Sequence, residues 1–231
     1  MTAIAVQDTA KVHRVLPAFP TVILDQLRVL LSDFTPDAIK LGMLASDDVC
    51  IQVELALREY RGGVPLVIDP VLASSGGTSL LERRAWARLV GLCSGATLVT
   101  PNLPEAHALT KIDVSTQEGA QTAATLFVSE FGAHAVLLKG GHRDGPPDDL
   151  LATRSGATIS FEWLRGERID CGPVHGTGCA LSAAITAELA RGRSLGEAVR
   201  SARGFVARGL ARALRRGRGA AFLSPDADAD P

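Results

Sequence analysis

Apolar positions along this chain follow two periods, and the two alternate. Val22, Ile23, Leu27, Leu30 and Leu31 recur at helical spacing behind Pro20, which suits a first helical turn. Val64 to Asp69 (VPLVID) is then a short, almost unbroken apolar run, the pattern of a strand buried on both faces. Residues 80–92 read as helix and residues 97–100 as a short strand. Ser115 with Glu118 is a capping-box pattern and predicts a helix running to about Phe131. Ala135 to Leu138 is another buried strand, ended by Lys139-Gly140-Gly141.

The pattern changes at residue 148. The runs DLLAT and TISFEW flank Arg154-Ser155-Gly156 and predict a hairpin at a sheet edge. After His175 comes a helix of small residues, from Gly178 to about Ala190, and Ser194 with Glu197 opens a last helix to about Leu214. Residues 224–231, rich in Asp, Ala and Pro, predict a disordered tail. Repeated strand–helix units imply an α/β fold with a mostly parallel sheet covered on both faces, in one domain over residues 1–223. Ligands of such sheets bind at the carboxyl ends of the strands. Asp69, Asn102, Glu105 and Lys139 all fall there.

Composition narrows the class. With 231 residues, 46% hydrophobic and 21% charged, the chain can bury a large core. A net charge of −1 lacks the basic excess of a nucleic-acid binder. No apolar run is long enough for a membrane span, and the start lacks a secretory leader pattern. Cys50, Cys93, Cys171 and Cys179 show no CxxC spacing, so a zinc or dithiol site is not expected. Reduced thiols and a cytoplasmic location are expected.

The segment with most chemical content is His175-Gly176-Thr177-Gly178-Cys179, leading into small residues. Two glycines allow a tight turn whose N–H groups converge, and the helix start that follows favours an anion. Cys179 falls in the first helical turn, where the dipole is expected to lower a thiol pKa and prepare it to take a proton. The alternative is a plain turn with a small buried cysteine. In Thr100-Pro-Asn-Leu-Pro-Glu-Ala106, Asn102 and Glu105 stand three apart and can face a cleft, where an amide and a carboxylate suit Mg²⁺. Read alone, the same segment is better taken as a strand end and a turn with two prolines, with Glu105 as a favourable first-turn charge. Asp69, followed by Gly76 and Gly77, can hold a metal or end a strand. Lys139 can meet ATP phosphates or lie solvated in a turn. There is no GxxxxGK[ST] loop and no GxGxxG fingerprint. His13, His107 and His134 are scattered and read as surface or packing residues.

Together these segments resemble one family. Lys40-Leu-Gly-Met-Leu-Ala-Ser46, Asp69-Pro70-Val71, TPNLPEA from Thr100, LKGGH from Leu138 and HGTGC from His175 occur in the order of hydroxymethylpyrimidine and phosphomethylpyrimidine kinases. The resemblance covers about residues 1–210. It implies a three-layer α/β/α ribokinase-like fold. It also implies ATP- and Mg²⁺-dependent phosphorylation of hydroxymethylpyrimidine and its monophosphate in thiamine biosynthesis. Gly176, Thr177 and Gly178 would form the anion hole, with Cys179 as the base where sugar kinases of this fold carry Asp. Gln7, Met43 and Val71 would contact the aminopyrimidine, Lys139 and Asn102 the ATP, and Asp69 and Glu105 the Mg²⁺. A homodimer is the family's usual assembly. Pyridoxal kinase shares the fold and is a second reading, and a non-catalytic pyrimidine-binding homologue is a third.

Two departures are visible. Family members carry a strand, a Gly-rich loop of the type AGSDxSGGAG and a helix ahead of the segment matching Met1. Three readings follow: a start upstream, a shorter chain with weak substrate binding, or a second subunit over the exposed strand edge. The second departure is Asp170-Cys-Gly-Pro-Val174, where the family carries Asn and Thr before the turn.

Overall fold

A computed structural model describes residues 1–60, 63–141 and 145–224. The chain opens with an antiparallel hairpin, β1 (Ala3–Gln7) and β2 (Val12–Pro17), outside the main sheet. Then come α1 (Pro20–Asp33), β3 (Ile39–Leu41), α2 (Asp47–Glu59) and β4 (Leu66–Ile68). A 3-10 turn (Arg83–Ala85) leads into α3 (Trp86–Leu92), β5 (Leu98–Val99), α4 (Leu103–Thr110) and α5 (Gln117–Ser129). Next are β6 (Ala135–Leu138), β7 (Asp149–Ser155), β8 (Thr158–Leu164) and β9 (Val174–His175). The chain closes with α6 (Thr177–Ala190), α7 (Leu195–Ala211) and β10 (Ala221–Phe222).

Six strands form the central sheet in the order β3-β4-β5-β6-β7-β8. The first four are mutually parallel, and the β7–β8 hairpin adds antiparallel strands at the far edge. Alternation along the strands sorts their side chains onto two cores. Leu41, Ile68, Val99, Val136 and Leu138 face α1 to α5, where Val49, Val53, Leu89 and Phe127 fill the space. Val67, Leu98, Ala135, Leu137 and Leu151 face α6 and α7, against Leu181, Ile185 and Val199. Those two cores are the physical content of the three-layer arrangement. Each large side chain fully buried there contributes roughly 1.5–3 kcal/mol before entropy.

The predicted strands around Leu66, Leu98 and Ala135, the β7–β8 hairpin and both C-terminal helices are all present. Three expectations change. Residues 80–82 are not helical: Leu80 N–H bonds Leu72 O at 2.8 Å, Leu81 forms a bridge with Ala45, and the helix starts only at Trp86. The cap of α5 is Thr116, whose hydroxyl accepts from Gly119 N–H at 3.0 Å, while Ser115 N–H is held by Asp113. Ser224, placed in the expected tail, is buried; the rest of that tail, residues 225–231, lies outside the described residues. Unpredicted elements are the β1–β2 hairpin, β3, α2, β9 and β10. Helix α2 is capped by Ser46, which accepts from Val49 N–H at 3.3 Å. One apolar set stays outside: Phe19, Val22, Val29, Leu30 and Phe34, on or flanking α1, are exposed.

The cap assignment is testable. Thr116→Ala should lower unfolding free energy by about 1 kcal/mol, the usual loss for a removed N-cap. Ser115→Ala should change it by less than half as much. Urea midpoints of the two variants decide, and equal losses would return the cap to Ser115.

Candidate active site

The alternation that builds the two cores also aims the polar residues just past the strands. Ile68, Val99 and Leu138 face α1 to α5. The next residues, Asp69, Thr100 and Lys139, therefore turn toward α6. There they meet. Lys139 Nζ lies 2.9 Å from Asp69 Oδ1, Thr100 Oγ1 donates to the same oxygen at 3.2 Å, and Ser182 Oγ of α6 donates to Oδ2 at 3.1 Å. Asp69 is only 1% exposed. Burial pushes its carboxyl up, but the charge and hydrogen bond of Lys139, with Lys40 and Ser182, outweigh that, and the net shift is down. Burial likewise pulls the Lys139 ammonium down, and Asp69 and Glu105 more than reverse it. The pair is ionised at neutral pH.

The Gly-rich turn arrives against this pair. Gly176 is the N-cap of α6 and has φ 81°, the left-handed region that glycine enters without strain. The amides of Thr177, Gly178 and Cys179 follow in the first turn, where the helix offers them no carbonyl. At Gly178 a Cβ would lie 3.0 Å from Lys139 Nζ, so the absence of a side chain lets the helix start approach the ammonium. Cys179 as a residue is exposed to solvent. Its thiol pKa is raised, contrary to the expectation from the helix start alone. Surrounding protein acts first and the Asp69 carboxylate second, against a smaller opposing pull from Lys40 and Lys139.

Asn102 and Glu105 turn toward each other's backbone rather than both into a cleft. Asn102 Oδ1 accepts from Glu105 N–H at 2.8 Å, and Glu105 Oε2 accepts from Asn102 N–H at 2.8 Å. This is a complete capping box on α4. It lies beside Lys139, whose N–H bonds Pro101 O at 2.9 Å. Glu105 is 6% exposed, and burial lifts its pKa to about 7 despite Lys139 and the N–H groups of Asn102 and Leu72.

The hairpin covers the other side. Thr2 Oγ1 donates to Met43 O at 2.6 Å, and His175 joins the hairpin tip at Thr9 O, 2.9 Å from Nε2. A carbonyl only accepts, so Nε2 carries the proton and Nδ1 accepts from the Ser75 hydroxyl at 2.9 Å. His175 thus ties three segments: the hairpin tip, the Ser74–Gly77 loop and the turn at Gly176. Gln7 ends β1 and is exposed, while Met43 and Val71 are half-buried in the loops after β3 and β4. The structure therefore brings Asp69, Lys139, Asn102, Glu105 and the Gly176–Cys179 turn into one cluster, while Gln7, Met43 and Val71 stand in the hairpin and loops beside it. His142 of the LKGGH segment lies outside the described residues. Thr100, Ser182 and the bridging use of His175 were not foreseen. Only their adjacency in sequence to Asn102, Cys179 and Gly176 hinted at them. His13 and His107, expected as surface or packing residues, are exposed surface residues bonded to Asp8 and to Ile112 O.

A buried ion pair set against a Gly-rich helix start, at the carboxyl ends of parallel strands, is the architecture of a ribokinase-like small-molecule kinase. A solved pyridoxal kinase from Staphylococcus aureus in complex with ADP superimposes with a TM-score of 0.83 at 30% identity, covering 99% of this chain and 82% of its own. A phosphomethylpyrimidine kinase from Clostridium difficile 630 gives 0.77 at 31% identity, covering 90% and 83%. In sequence, the hydroxymethylpyrimidine/phosphomethylpyrimidine kinase of Staphylococcus aureus (strain MRSA252) is 36% identical over 222 residues, 95% of this chain and 79% of that protein. The phosphomethylpyrimidine kinase family model matches residues 1–224, and the chain belongs to that family. No described helix is long and apolar enough to cross a membrane.

Glu105 gives the site a signature in stability. Its pKa is 4.5 in the unfolded chain and about 7 in the folded one, so the folded state binds the extra proton. Stability is complete below the unfolded value and falls as pH rises through the folded one, by on the order of 3 kcal/mol in all. Glu105→Gln keeps an acceptor for Asn102 N–H and cannot ionise. Urea unfolding between pH 5 and 8 should show the slope in the parent and a flatter profile in the variant. Parallel profiles would mean that Glu105 is ionised throughout.

Proposed function

We infer that this chain is a hydroxymethylpyrimidine/phosphomethylpyrimidine kinase. It moves the terminal phosphoryl group of ATP to the hydroxymethyl oxygen of an aminopyrimidine, then to the resulting monophosphate, as in thiamine biosynthesis. The observation that carries this reading is the convergence of Lys139, Asp69 and the first turn of α6 in a chain of this family. Four free thiols fit a reducing, cytoplasmic setting.

Each residue's role follows from its chemistry. The N–H groups of Thr177 to Cys179, with Gly176 shaping the turn, hold the phosphoryl oxygens as charge builds on them. Lys139, fixed by Asp69, faces that charge and cannot swing away. Asn102 keeps the β5–α4 turn in register with Lys139, so the nucleotide phosphates meet a rigid wall. Cys179 takes the proton from the hydroxymethyl oxygen as it attacks. Gln7, Met43 and Val71 frame the pyrimidine, with the hairpin excluding water. Asp69's oxygens already accept three hydrogen bonds, and no cluster of three metal-ligating side chains occurs among the described residues. Asp69 and Glu105 are the residues that would hold Mg²⁺, which when bound would supply further neutralising charge beside the phosphates.

A second reading is pyridoxal kinase activity. It is favoured by the Staphylococcus aureus pyridoxal kinase, which matches at least as well in structure as the Clostridium difficile phosphomethylpyrimidine kinase. The two alcohols would be ranked by kcat/KM.

ADP release with MgATP should be seen with hydroxymethylpyrimidine and its monophosphate, and more weakly with pyridoxal. Silence with all three would sink the kinase reading. Cys179→Ala should lower kcat for the alcohol by about 10²–10⁴-fold, the scale of lost general-base catalysis, while ATP binding is largely kept. Because the thiol is raised above its ordinary value, kcat/KM for the alcohol should still climb past pH about 8.5. A plateau near neutrality would assign the proton to another group.

A further inference from the structure

Lys40 stands in the Lys40–Ser46 segment and, beyond its pull on Asp69 and Cys179, has no role in the transfer described above. Strand register places it. Lys40 is opposite Val67 on the neighbouring strand, and Val67 belongs to the core facing α6 and α7. Asp69 lies two residues beyond Val67 on the same face, so Lys40 and Asp69 are diagonal neighbours under the start of α6. The adjacent backbone is tightly held, with Asp69 N–H bonding Leu41 O at 2.9 Å. The Lys40 ammonium folds over Gly42, where a Cβ would lie 2.9 Å from Nζ. Its charge is felt by both Asp69 and Cys179. Yet it makes no hydrogen bond and no close ion pair with any described residue, although the side chain is half-buried.

The charge count then matters. Lys139 is neutralised by Asp69 at 2.9 Å. Lys40 is the surplus cation, and it sits on the side of Asp69 away from Lys139, because the sheet runs β3-β4-β5-β6. That is also the side of Met43 and the β1–β2 hairpin. The two phosphorylations differ in what they demand there. An alcohol must lose a proton as it attacks, and it brings no charge. A phosphomonoester is already ionised, with a second pKa near about 6, and brings close to two negative charges against the phosphoryl group it must receive. One P–O bond forms at the phosphomonoester oxygen, one breaks, and ADP leaves, with no proton to remove. Such an acceptor needs a cation more than a base.

We propose that Lys40 is the subsite for the acceptor's own phosphate, the group that makes the second phosphorylation possible. This rests on the kinase reading above and adds a division of labour: Cys179 serves the alcohol and Lys40 serves the phosphomonoester.

Three proteins test it: the parent, Lys40→Met and Gly42→Ala. The second removes the charge, and the third displaces a flexible ammonium with a small methyl while keeping the charge. For each, kcat/KM is measured with hydroxymethylpyrimidine and with its monophosphate, and binding of both compounds is measured by calorimetry without nucleotide. The parent should bind the monophosphate more tightly than the alcohol. Lys40→Met should erase that difference and lose about tenfold or more in kcat/KM on the monophosphate beyond any loss on the alcohol, the scale of one charge-assisted hydrogen bond. Gly42→Ala should move in the same direction by less. Equal losses on both acceptors, or a parent with no preference in binding, would overturn the proposal. Because the calorimetry needs no turnover, a parent that binds the monophosphate selectively but releases no ADP would fail the kinase reading while leaving the subsite intact.

Discussion

The site depends on one buried ion pair. Asp69 and Lys139 come from strands β4 and β6, with β5 between them, so their contact fixes the spacing of three strand ends at once. Taking two charges out of water is costly unless every remaining lone pair and proton is matched. Thr100 from the intervening strand and Ser182 from α6 do that matching, one on each carboxylate oxygen. The Ser182 bond also draws the helix start down onto the sheet. The pair adds little to stability. Its effect is geometric, because it sets where the first turn of α6 can lie and which direction its amides face.

From that arrangement follows a separation of chemical tasks by type of group. Backbone amides, which do not titrate near neutrality, form the first turn of α6 and are the groups proposed to face the transferring phosphate. Side chains that respond to their surroundings, namely Cys179, Glu105 and Lys139, are ranged beside them. Burial and neighbouring charge leave all three raised and Asp69 lowered. Glu105 rises to about 7 while Asp69, a residue of the same chemistry nearby, falls. The difference lies in partners: Asp69 holds an ammonium directly, whereas Glu105 is given mainly to an N–H at a helix start.

How much of this was legible in the sequence depends on how far each contact reaches. Buried strands such as Ala135–Leu138 are apolar throughout and easily read. The capping box of Ser194 and Glu197 is local and was read correctly. Strand β3 spans three residues around a lysine, and β1 and β2 alternate without a clear inward face because they lie outside the main sheet. Residues 80–82 carry helix-like composition, yet bonds to Leu72 in the preceding loop and to Ala45, distant in sequence, hold them extended. At the site, Asp69, Lys139 and Cys179 were visible because strand ends and Gly-rich turns announce themselves. Ser182 was not, since its partner is 113 residues away. Nor was the rise in the Cys179 pKa, because the helix start is a local feature and the packing around the thiol is not.

The hairpin tip is tied to the far end of the chain. Thr9 O accepts from Ala220 N–H at 2.8 Å, and Gly219 N–H donates to Thr9 Oγ1 at 3.0 Å across 210 residues. Beside them β10 pairs with β9, immediately before Gly176. Such a contact has the largest loop to close and forms late. The hairpin beside the site is held by bonds that the sheet does not need for its own pairing, so loosening residues 219–220 would free the hairpin tip on that side while strands β3 to β8 keep their register.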